Sequence, residues 1–382
     1  MSAKKMSSKG ILYLQDGSSF EGFSLGAKAT LVGELVFHTG HTGYTEILSD
    51  PSYYQQILCF SAPHIGNQGI HPDDLESDKM WASGCVIREH VGSFMHWRER
   101  WSLAEYLQEQ KRPALTGVDT RSLVLKIRES GNLWGVISTE TSSPKELAKY
   151  FKKSMSMAGR SLAEEVSTKF AYQWRTGSSE LLSQSWWRPV KSKRCAVLDF
   201  GVKRQILRYL VDSGFEEVIV LPASTRAEEL LSLAPDLICL SNGPGDPAAS
   251  SKIISEVKKL VGKIPLFGIC LGHQILAKAL GFETYKLKFG HHAANHPVQS
   301  ELSQRVEISS QNHGFAVKEK DSNQSFWTHL NLNDASVEGF LNIESKVCGI
   351  QYHPESSPGP LDSTEIFKKV YSGEIFDKRS WA

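Results

Sequence analysis

Short apolar segments alternate with amphipathic helices after residue 193, and this alternation restricts the possible folds more than any other feature of the sequence. Residues 195–200 have the length and composition of a buried strand, and residues 204–212 carry four aliphatic side chains on one helical face. The same order recurs in three further pairs of segments: 217–221 with 226–233, 236–240 with 253–261, and 264–269 with 271–280. Strands that are joined by helices pair in parallel, so the sequence predicts a doubly wound, mostly parallel α/β sheet with helices on both faces.

The rest of the chain differs from this regular part. Residues 11–15 and 19–25 flank Asp16 and Gly17 as a predicted hairpin, further strands are expected at 34–37 and 85–91, and helices at 102–110 and 144–151. After the alternating part, shorter strands are expected near 283–287, 305–310 and 347–352, with a last helix at 363–371. We therefore predict a mixed β/α domain over 1–154, a linker over 155–192 that packs against its neighbour, and an α/β domain over 193–382.

Composition excludes several classes of protein. A chain of 382 residues with 40% hydrophobic and 22% charged residues is globular and long enough for two or three domains. The 43 Lys and Arg residues balance 42 Asp and Glu residues, which leaves no basic field for nucleic acid or an anionic membrane. The six cysteines form no CxxC pair, and no apolar run is long enough for a membrane span or a signal peptide. We expect a reduced, cytoplasmic protein without a metal site.

Cys270 lies where a predicted buried strand meets a helix, in the sequence GICLGHQ. Ligands of α/β enzymes bind at the carboxyl ends of the strands. Neighbouring glycines permit a sharp turn that lifts the thiol clear of the sheet. The start of the following helix favours a thiolate and offers N–H groups to an oxyanion. The alternative is a buried structural thiol, the usual role of a cysteine and the one that we assign to the other five.

His353 and Glu355 follow the predicted strand near 347–352, in the sequence QYHPE. Pro354 favours an extended backbone, in which residues i and i+2 point the same way, so Glu355 can orient the imidazole while its other nitrogen serves a thiol. A surface or core role is the alternative for any one of the thirteen histidines. The sequence predicts that folding brings this pair to Cys270.

The two motifs together resemble those of the class I, or triad, glutamine amidotransferases. The sequence SNGPGD, which begins at Ser241, resembles the loop with which that family holds glutamine and an oxyanion. The resemblance implies that Cys270 is the nucleophile, His353 the base and then the acid, and Glu355 the residue that orients it. It also implies glutamine-binding roles for the following positions, with the oxyanion held by the amides of Gly243 and Leu271: Ser52, Gly243, Gly245, Leu271, Gln274, Asn312, Gly314 and Phe315.

The resemblance extends over nearly the whole chain. TGYTEILSDPSYYQQIL, which ends at Leu58, and GVDTR, which begins at Gly117, are similar to sequences in the small subunits of carbamoyl phosphate synthetase, as are FGHH from Phe289 and QNHGFAV from Gln311. In that family the N-terminal domain is a mixed β/α domain of the swivelling type. Lys203 matches a lysine near the family's site, to which we assign no role at this stage.

The resemblance implies a glutamine-hydrolysing carbamoyl-phosphate synthase, with a role in arginine or pyrimidine biosynthesis. Glutamine would be hydrolysed through a thioester on Cys270, and the ammonia passed to a large subunit that makes carbamoyl phosphate from bicarbonate and ATP. This chain has no phosphate-binding GxxxxGK[ST] sequence, so no cofactor is expected in it, and ATP and Mg are expected on the large subunit. A thiol hydrolase of the α/β-hydrolase type and a non-catalytic regulatory subunit are the alternatives.

Overall fold

The computed structural model describes residues 8–92, 96–151, 155–178, 193–319 and 326–381. The chain divides into two compact units, one of residues 1–157 with 288–292 and one of residues 158–287 with 293–382. None of the helices in the described ranges is long and apolar enough to cross a membrane.

The first unit is built on a closed β-barrel. Its seven strands are hydrogen-bonded in the order β1, β2, β8, β6, β4, β3, β9 and back to β1. The strands of this unit are β1 (Lys9–Leu14), β2 (Ser19–Gly26), β3 (Thr30–His38), β4 (Gln56–Phe60), β5 (His64–Ile65), β6 (Gly84–Val86), β7 (Glu89–His90), β8 (Pro113–Thr116) and β9 (Trp134–Ser138). The predicted hairpin is confirmed, because β1 and β2 pair antiparallel on either side of Asp16 and Gly17.

Four α-helices accompany the barrel: α1 (Tyr44–Ser49), α2 (Leu103–Glu109), α3 (Thr120–Ser130) and α4 (Pro144–Leu147). Ser102 begins α2 with a capping box, in which its hydroxyl accepts from the Glu105 N–H while the Glu105 carboxylate accepts from the Ser102 N–H. Short 3₁₀ turns lie at Pro51–Tyr53, Pro72–Asp74 and Ala148–Tyr150. Leucine, isoleucine and valine side chains of the strands fill the barrel and the space beneath the helices.

The second unit contains one ten-stranded sheet in the order β10, β12, β11, β13, β14, β19, β18, β16, β15, β17. Its strands are β10 (Tyr172–Trp174), β11 (Arg194–Asp199), β12 (Glu217–Pro222), β13 (Leu237–Leu240), β14 (Leu266–Ile269), β15 (Thr284–Ser300), β16 (Val306–Val317), β17 (Phe326–Asn331), β18 (Val337–Asn342) and β19 (Val347–Ile350). Its helices are α5 (Ala163–Val166), α6 (Arg204–Asp212), α7 (Ala227–Ser232), α8 (Ser251–Leu260), α9 (Leu271–Ala279) and α10 (Ile366–Ser372), with 3₁₀ turns at Pro247–Ala249, Glu374–Phe376 and Lys378–Trp381.

The alternation of strands and helices is confirmed, but the sheet is mixed rather than mostly parallel. Five neighbouring strands, from β12 through β19, are parallel to one another, whereas the other five pair antiparallel with their neighbours wherever the register is defined. The physical reason is the connection between strands. No helix separates β15 from β19 in the described residues, and strands joined by short turns run antiparallel.

Apolar side chains cover both faces of the sheet. One cluster packs α6 and α10 against the strands, and a second packs α8 and α9 against the opposite face. The described part of the predicted linker, residues 155–178, contributes α5 and the edge strand β10, which pairs antiparallel with β12. Trp186 and Trp187, which the sequence placed in this linker, lie outside the described residues.

Candidate active site

Four loops meet the same edge of the sheet, because the parallel strands all end there. Lys203 follows β11, Ser241 to Gly243 follow β13, Cys270 follows β14 directly, and His353 follows β19. The carboxyl edge of a parallel sheet is where α/β enzymes place their reacting groups.

Cys270 occupies a strained turn. Its φ of 53° and ψ of −105° lie in a region that residues other than glycine rarely adopt, and it is the residue that precedes α9. Two hydrogen bonds fix the turn, from the Cys270 N–H to the Ile350 carbonyl at 2.9 Å and from the Gly272 N–H to the Ser241 carbonyl at 3.0 Å. A Cβ on Gly272 would lie 2.2 Å from the Leu240 carbonyl oxygen, so only glycine lets α9 begin this close to β13.

The thiol of Cys270 points into the protein, where the residue is 2% exposed. Its Sγ lies 3.5 Å from the backbone oxygen of Asn312. It is also near enough to His353 to raise the pKa of that imidazole. The sulfur therefore lies between β16 and the end of β19.

His353 and Glu355 form a buried pair. The imidazole Nδ1 lies 2.6 Å from Glu355 Oε1, and the two side chains are 1% and 0% exposed. The His353 N–H donates to the Ser310 carbonyl at 2.9 Å, which holds this segment against β16. The other ring nitrogen, Nε2, has no hydrogen bond of ordinary geometry with any described residue. It is thus the nitrogen left to exchange a proton with a thiol or a substrate.

Lys203 completes a row of three charges. Its Nζ donates to Glu355 Oε1 at 2.9 Å and to the Ser356 carbonyl at 2.6 Å. Its backbone N–H donates to Asn242 Oδ1 at 3.1 Å, which ties the loop after β11 to the loop after β13. The structure therefore gives a defined position to a lysine whose role the sequence left open.

The charges in this row shift one another's pKa. Burial alone would raise the pKa of Glu355, but Lys203 and His353 outweigh burial and hold it well below its ordinary value. Burial alone would lower the pKa of His353, but the Glu355 charge, the neighbouring Cys270 thiol and the hydrogen bond to Glu355 outweigh burial and the repulsion from Lys203 and raise it. The buried imidazole therefore holds its proton firmly.

Gly243 and Leu271 are neighbours across the turn. A Cβ on Gly243 would lie 3.0 Å from Leu271 Cδ2 and 2.1 Å from the Phe200 carbonyl oxygen, so the loop fits here only with glycine. Leu271 is the first residue of α9, and the first N–H groups of a helix have no partner within it. The structure therefore brings the Gly243 loop against the first residue of α9, which directly follows Cys270. Their role as oxyanion donors stays a prediction.

The other predicted glutamine-binding positions in this unit lie on two elements and one loop. Gln274, on α9, donates from Nε2 to the Phe315 carbonyl at 2.6 Å and to Gln351 Oε1 at 2.9 Å. Asn312, Gly314 and Phe315 all lie on β16. Gly245 lies on the loop after β13, where it forms an isolated β-bridge with Ser161.

Ser52, the remaining predicted position, belongs to the first unit. It is buried in the 3₁₀ turn Pro51–Tyr53, where its N–H donates to Asp50 Oδ1 at 2.8 Å. The structure places Ser52 in the first unit, and its role as a glutamine contact stays a prediction.

Asn242 and Gln351 were not predicted to be part of the site. Asn242 anchors Lys203, and Gln351 accepts from Gln274. The sequence could have indicated both residues, since Asn242 lies inside SNGPGD and Gln351 begins QYHPE, two motifs already assigned to the site. Polar side chains that directly follow buried strands at this edge are candidates for supporting contacts.

Two family models match the chain. Residues 12–137 match the family described as carbamoyl-phosphate synthase small chain, CPSase domain. Residues 196–372 match glutamine amidotransferase class-I, in agreement with the α/β fold of the second unit.

Curated relatives match over almost the full length. The carbamoyl phosphate synthase small chain of Syntrophotalea carbinolica is 44% identical over 364 residues, which cover 94% of this chain and 96% of the relative. Its counterpart in Thermosynechococcus vestitus is 47% identical over 371 residues, which cover 95% of both chains. The small chain of Aquifex aeolicus is 44% identical over 360 residues, which cover 94% of this chain and 97% of the relative.

Proposed function

The chain belongs to the family of carbamoyl phosphate synthase small chains, and we propose that Cys270 is the nucleophile with which it hydrolyses L-glutamine. Membership makes it the glutamine-hydrolysing subunit of a carbamoyl phosphate synthase. The observation that carries the residue assignment is the buried pair of His353 and Glu355, 2.6 Å apart, at the strand end beside the Cys270 turn. In this assignment His353 is base and acid, and Glu355 orients it.

The reaction begins with attack of the Cys270 thiolate on the side-chain amide carbon of glutamine. The carbonyl electron pair moves to oxygen, and the Gly243 and Leu271 amides hold the resulting oxyanion. His353 gives its proton to the amide nitrogen, the C–N bond breaks, and ammonia leaves a γ-glutamyl thioester. His353 then takes a proton from water, whose oxygen adds to the thioester carbon. The C–S bond breaks, which restores the thiolate and releases glutamate.

Substrate contacts are assigned to Ser52, Gly245, Gln274 and the β16 segment of Asn312, Gly314 and Phe315. Gln274 supports this assignment because its Nε2 is engaged by protein acceptors, which leaves Oε1 for a ligand. Asn312 supports it because its carbonyl already contacts the nucleophile. Backbone atoms serve several of these contacts, so we expect side-chain substitution to affect them unevenly.

The released ammonia is used on another polypeptide. A small chain implies a large-chain partner, and we assign to that partner the synthesis of carbamoyl phosphate from bicarbonate, ammonia and ATP, with the ATP and Mg sites. Free ammonia would be protonated and diluted in bulk water, so we propose transfer through a protein channel. We also infer a swivelling-type arrangement for the N-terminal domain, and a reducing compartment such as the cytoplasm, which suits the thiolate that this chemistry needs.

The two alternative functions differ in testable ways. A thiol hydrolase of the α/β-hydrolase type carries its acid before the histidine on a separate strand end, whereas Glu355 lies two residues after His353. Such an enzyme would turn over esters rather than glutamine. A non-catalytic regulatory subunit would bind the large chain and show no glutaminase activity.

The deciding experiment uses the chain co-purified with its large subunit. Cys270→Ser is expected to reduce glutamine-dependent carbamoyl phosphate formation by at least about 10³-fold, while added ammonia still supports synthesis. Cys195→Ala, which changes a buried thiol of β11 outside the site, serves as the matched control and should retain glutamine use. Equal loss of the glutamine-dependent and ammonia-dependent activities in Cys270→Ser would contradict the proposal.

A further inference from the structure

A chain of three rings leads from the segment Lys378–Trp381 to the residue beside His353. Trp381 meets His329 edge to face, with ring centroids 5.1 Å apart and an interplanar angle of 75°. His329 in turn meets Tyr352 at 5.7 Å and 80°. Tyr352 immediately precedes His353, so the ring chain packs against the residue next to the imidazole-bearing one in sequence.

Each ring in this chain is held in place. Trp381 is 6% exposed, and its Nε1 donates to the Ile375 carbonyl at 2.9 Å. Lys369 Nζ donates to the Ser380 carbonyl at 2.6 Å, which secures the preceding residue to α10. His329 is 5% exposed, and its Nδ1 lies 3.0 Å from Thr328 Oγ1.

Tyr352 depends on this packing. The residue is 1% exposed, and its hydroxyl makes no hydrogen bond of ordinary geometry with the residues that the structure describes. Its hydroxyl interacts with Ser363 and its ring packs against His329, so His329 is one of the contacts that limit its rotation. Edge-to-face packing favours one relative orientation of two rings, so the His329 contact helps to select the orientation of Tyr352.

We propose that His329 and Trp381 are positioning residues for His353, acting through Tyr352. Neither contacts the reacting atoms. Their packing fixes the backbone from which the imidazole projects, and a displacement of about 1 Å in a catalytic group can cost about 10²-fold in rate. His329 acts as a neutral ring, because burial lowers its pKa to about 3. Phenylalanine can therefore replace it where alanine cannot. This inference rests on the proposed function of His353.

The experiment uses the small chain in complex with its large subunit. His329→Ala and Trp381→Ala are each expected to lower kcat for glutamine hydrolysis by about 10-fold or more, with less than about 3-fold change in KM. His329→Phe and Trp381→Phe should restore most of kcat. Ammonia-dependent synthesis should be unchanged in all four variants, because the acceptor chemistry lies elsewhere.

Tyr371→Ala is the matched control. It removes another edge-to-face pair of the same core, with Phe215 at 5.2 Å, outside the ring chain. It should lower Tm comparably and leave kcat unchanged. If the alanine variants match Tyr371→Ala in kcat, or if phenylalanine does not rescue them, the positioning role is wrong. Glutamine hydrolysis by the unmodified complex separates this outcome from failure of the proposed function, which would leave the unmodified complex inactive as well.

Discussion

Lys203 donates from its Nζ to Oε1 of Glu355 over 2.9 Å, with side chains that are 3% and 0% exposed. The same carboxylate oxygen lies 2.6 Å from His353 Nδ1. One buried oxygen therefore contacts two nitrogen donors. Removal of either donor leaves a buried negative charge with too few positive partners to offset the cost of burying it.

Lys203→Met should make the protein sensitive to acid. Lys203 lowers the pKa of Glu355, so its loss raises that pKa. A carboxyl group with a lowered folded-state pKa stabilises the protein above its ordinary pKa and loses that contribution as the pH falls through the lowered value. The acid limb of the free energy of unfolding should therefore move to higher pH, with a loss of about 3–5 kcal/mol at pH 7. Urea titrations across the pH range measure both effects.

Lys203→Arg provides the control for that prediction, since it keeps the positive charge. It should retain more of the acid stability than Lys203→Met. An acid limb that stays in place in Lys203→Met would mean that the Lys203 charge does not set the pKa of Glu355.

Cys270→Gly should be more stable than Cys270→Ala by about 1 kcal/mol, because glycine adopts the positive φ of this turn without strain. Urea midpoints of the two variants test this directly. At Cys239, in the regular strand β13, the order should reverse, because glycine there costs about 0.5–1 kcal/mol relative to alanine. The same order at both positions would argue against stored strain at Cys270.

Gly243→Ala should reduce kcat by about 10²-fold with a small change in KM. The added Cβ would meet the Phe200 carbonyl oxygen at 2.1 Å, so the loop must shift and carry its amide away from the oxyanion position that we propose. Steady-state glutamine hydrolysis measures the effect. Gly92→Ala is the control, because nothing lies within 4 Å of a Cβ at that position. A normal kcat in Gly243→Ala would remove this amide from the mechanism.

Gln274→Leu should cost about 1–3 kcal/mol of stability and raise KM for glutamine. Two buried acceptors, the Phe315 carbonyl and Gln351 Oε1, would lose their donor. Denaturant unfolding and glutamine titration measure the two effects. Gln299→Leu removes an exposed hydrogen bond from the side-chain amide of a β15 residue to the Gln304 carbonyl. Its free energy of unfolding should stay within about 0.5 kcal/mol of that of the parent. Equal stability of the two variants would show that the Gln274 amide is dispensable.

The sequence was most informative where local pattern decides structure. The segment 204–212 was predicted as a helix from its apolar period, and α6 has those bounds. The turn at Cys270 and the pairing of His353 with Glu355 follow from short-range rules about glycine and extended backbone, so they could be anticipated from a few neighbouring residues.

Features that depend on distant partners could not be anticipated in the same way. The barrel closes by pairing β1 with β9, more than 120 residues apart, and no local pattern encodes that contact. The antiparallel half of the second sheet likewise depends on β17 and β18, which were not predicted. Helix α3 was also missed, although Asp119 caps it and Leu123 and Ile127 are buried on one side. The cap residue and the apolar spacing that indicate this helix both lie within a few residues of one another in the sequence.

All seven strands of the barrel come from residues 9–138. Every residue that forms the barrel has therefore left the ribosome once the first 138 residues have emerged. A closed barrel offers no open strand edge to a neighbouring nascent chain. During translation we expect this part to become resistant to protease before Cys270 has been synthesised.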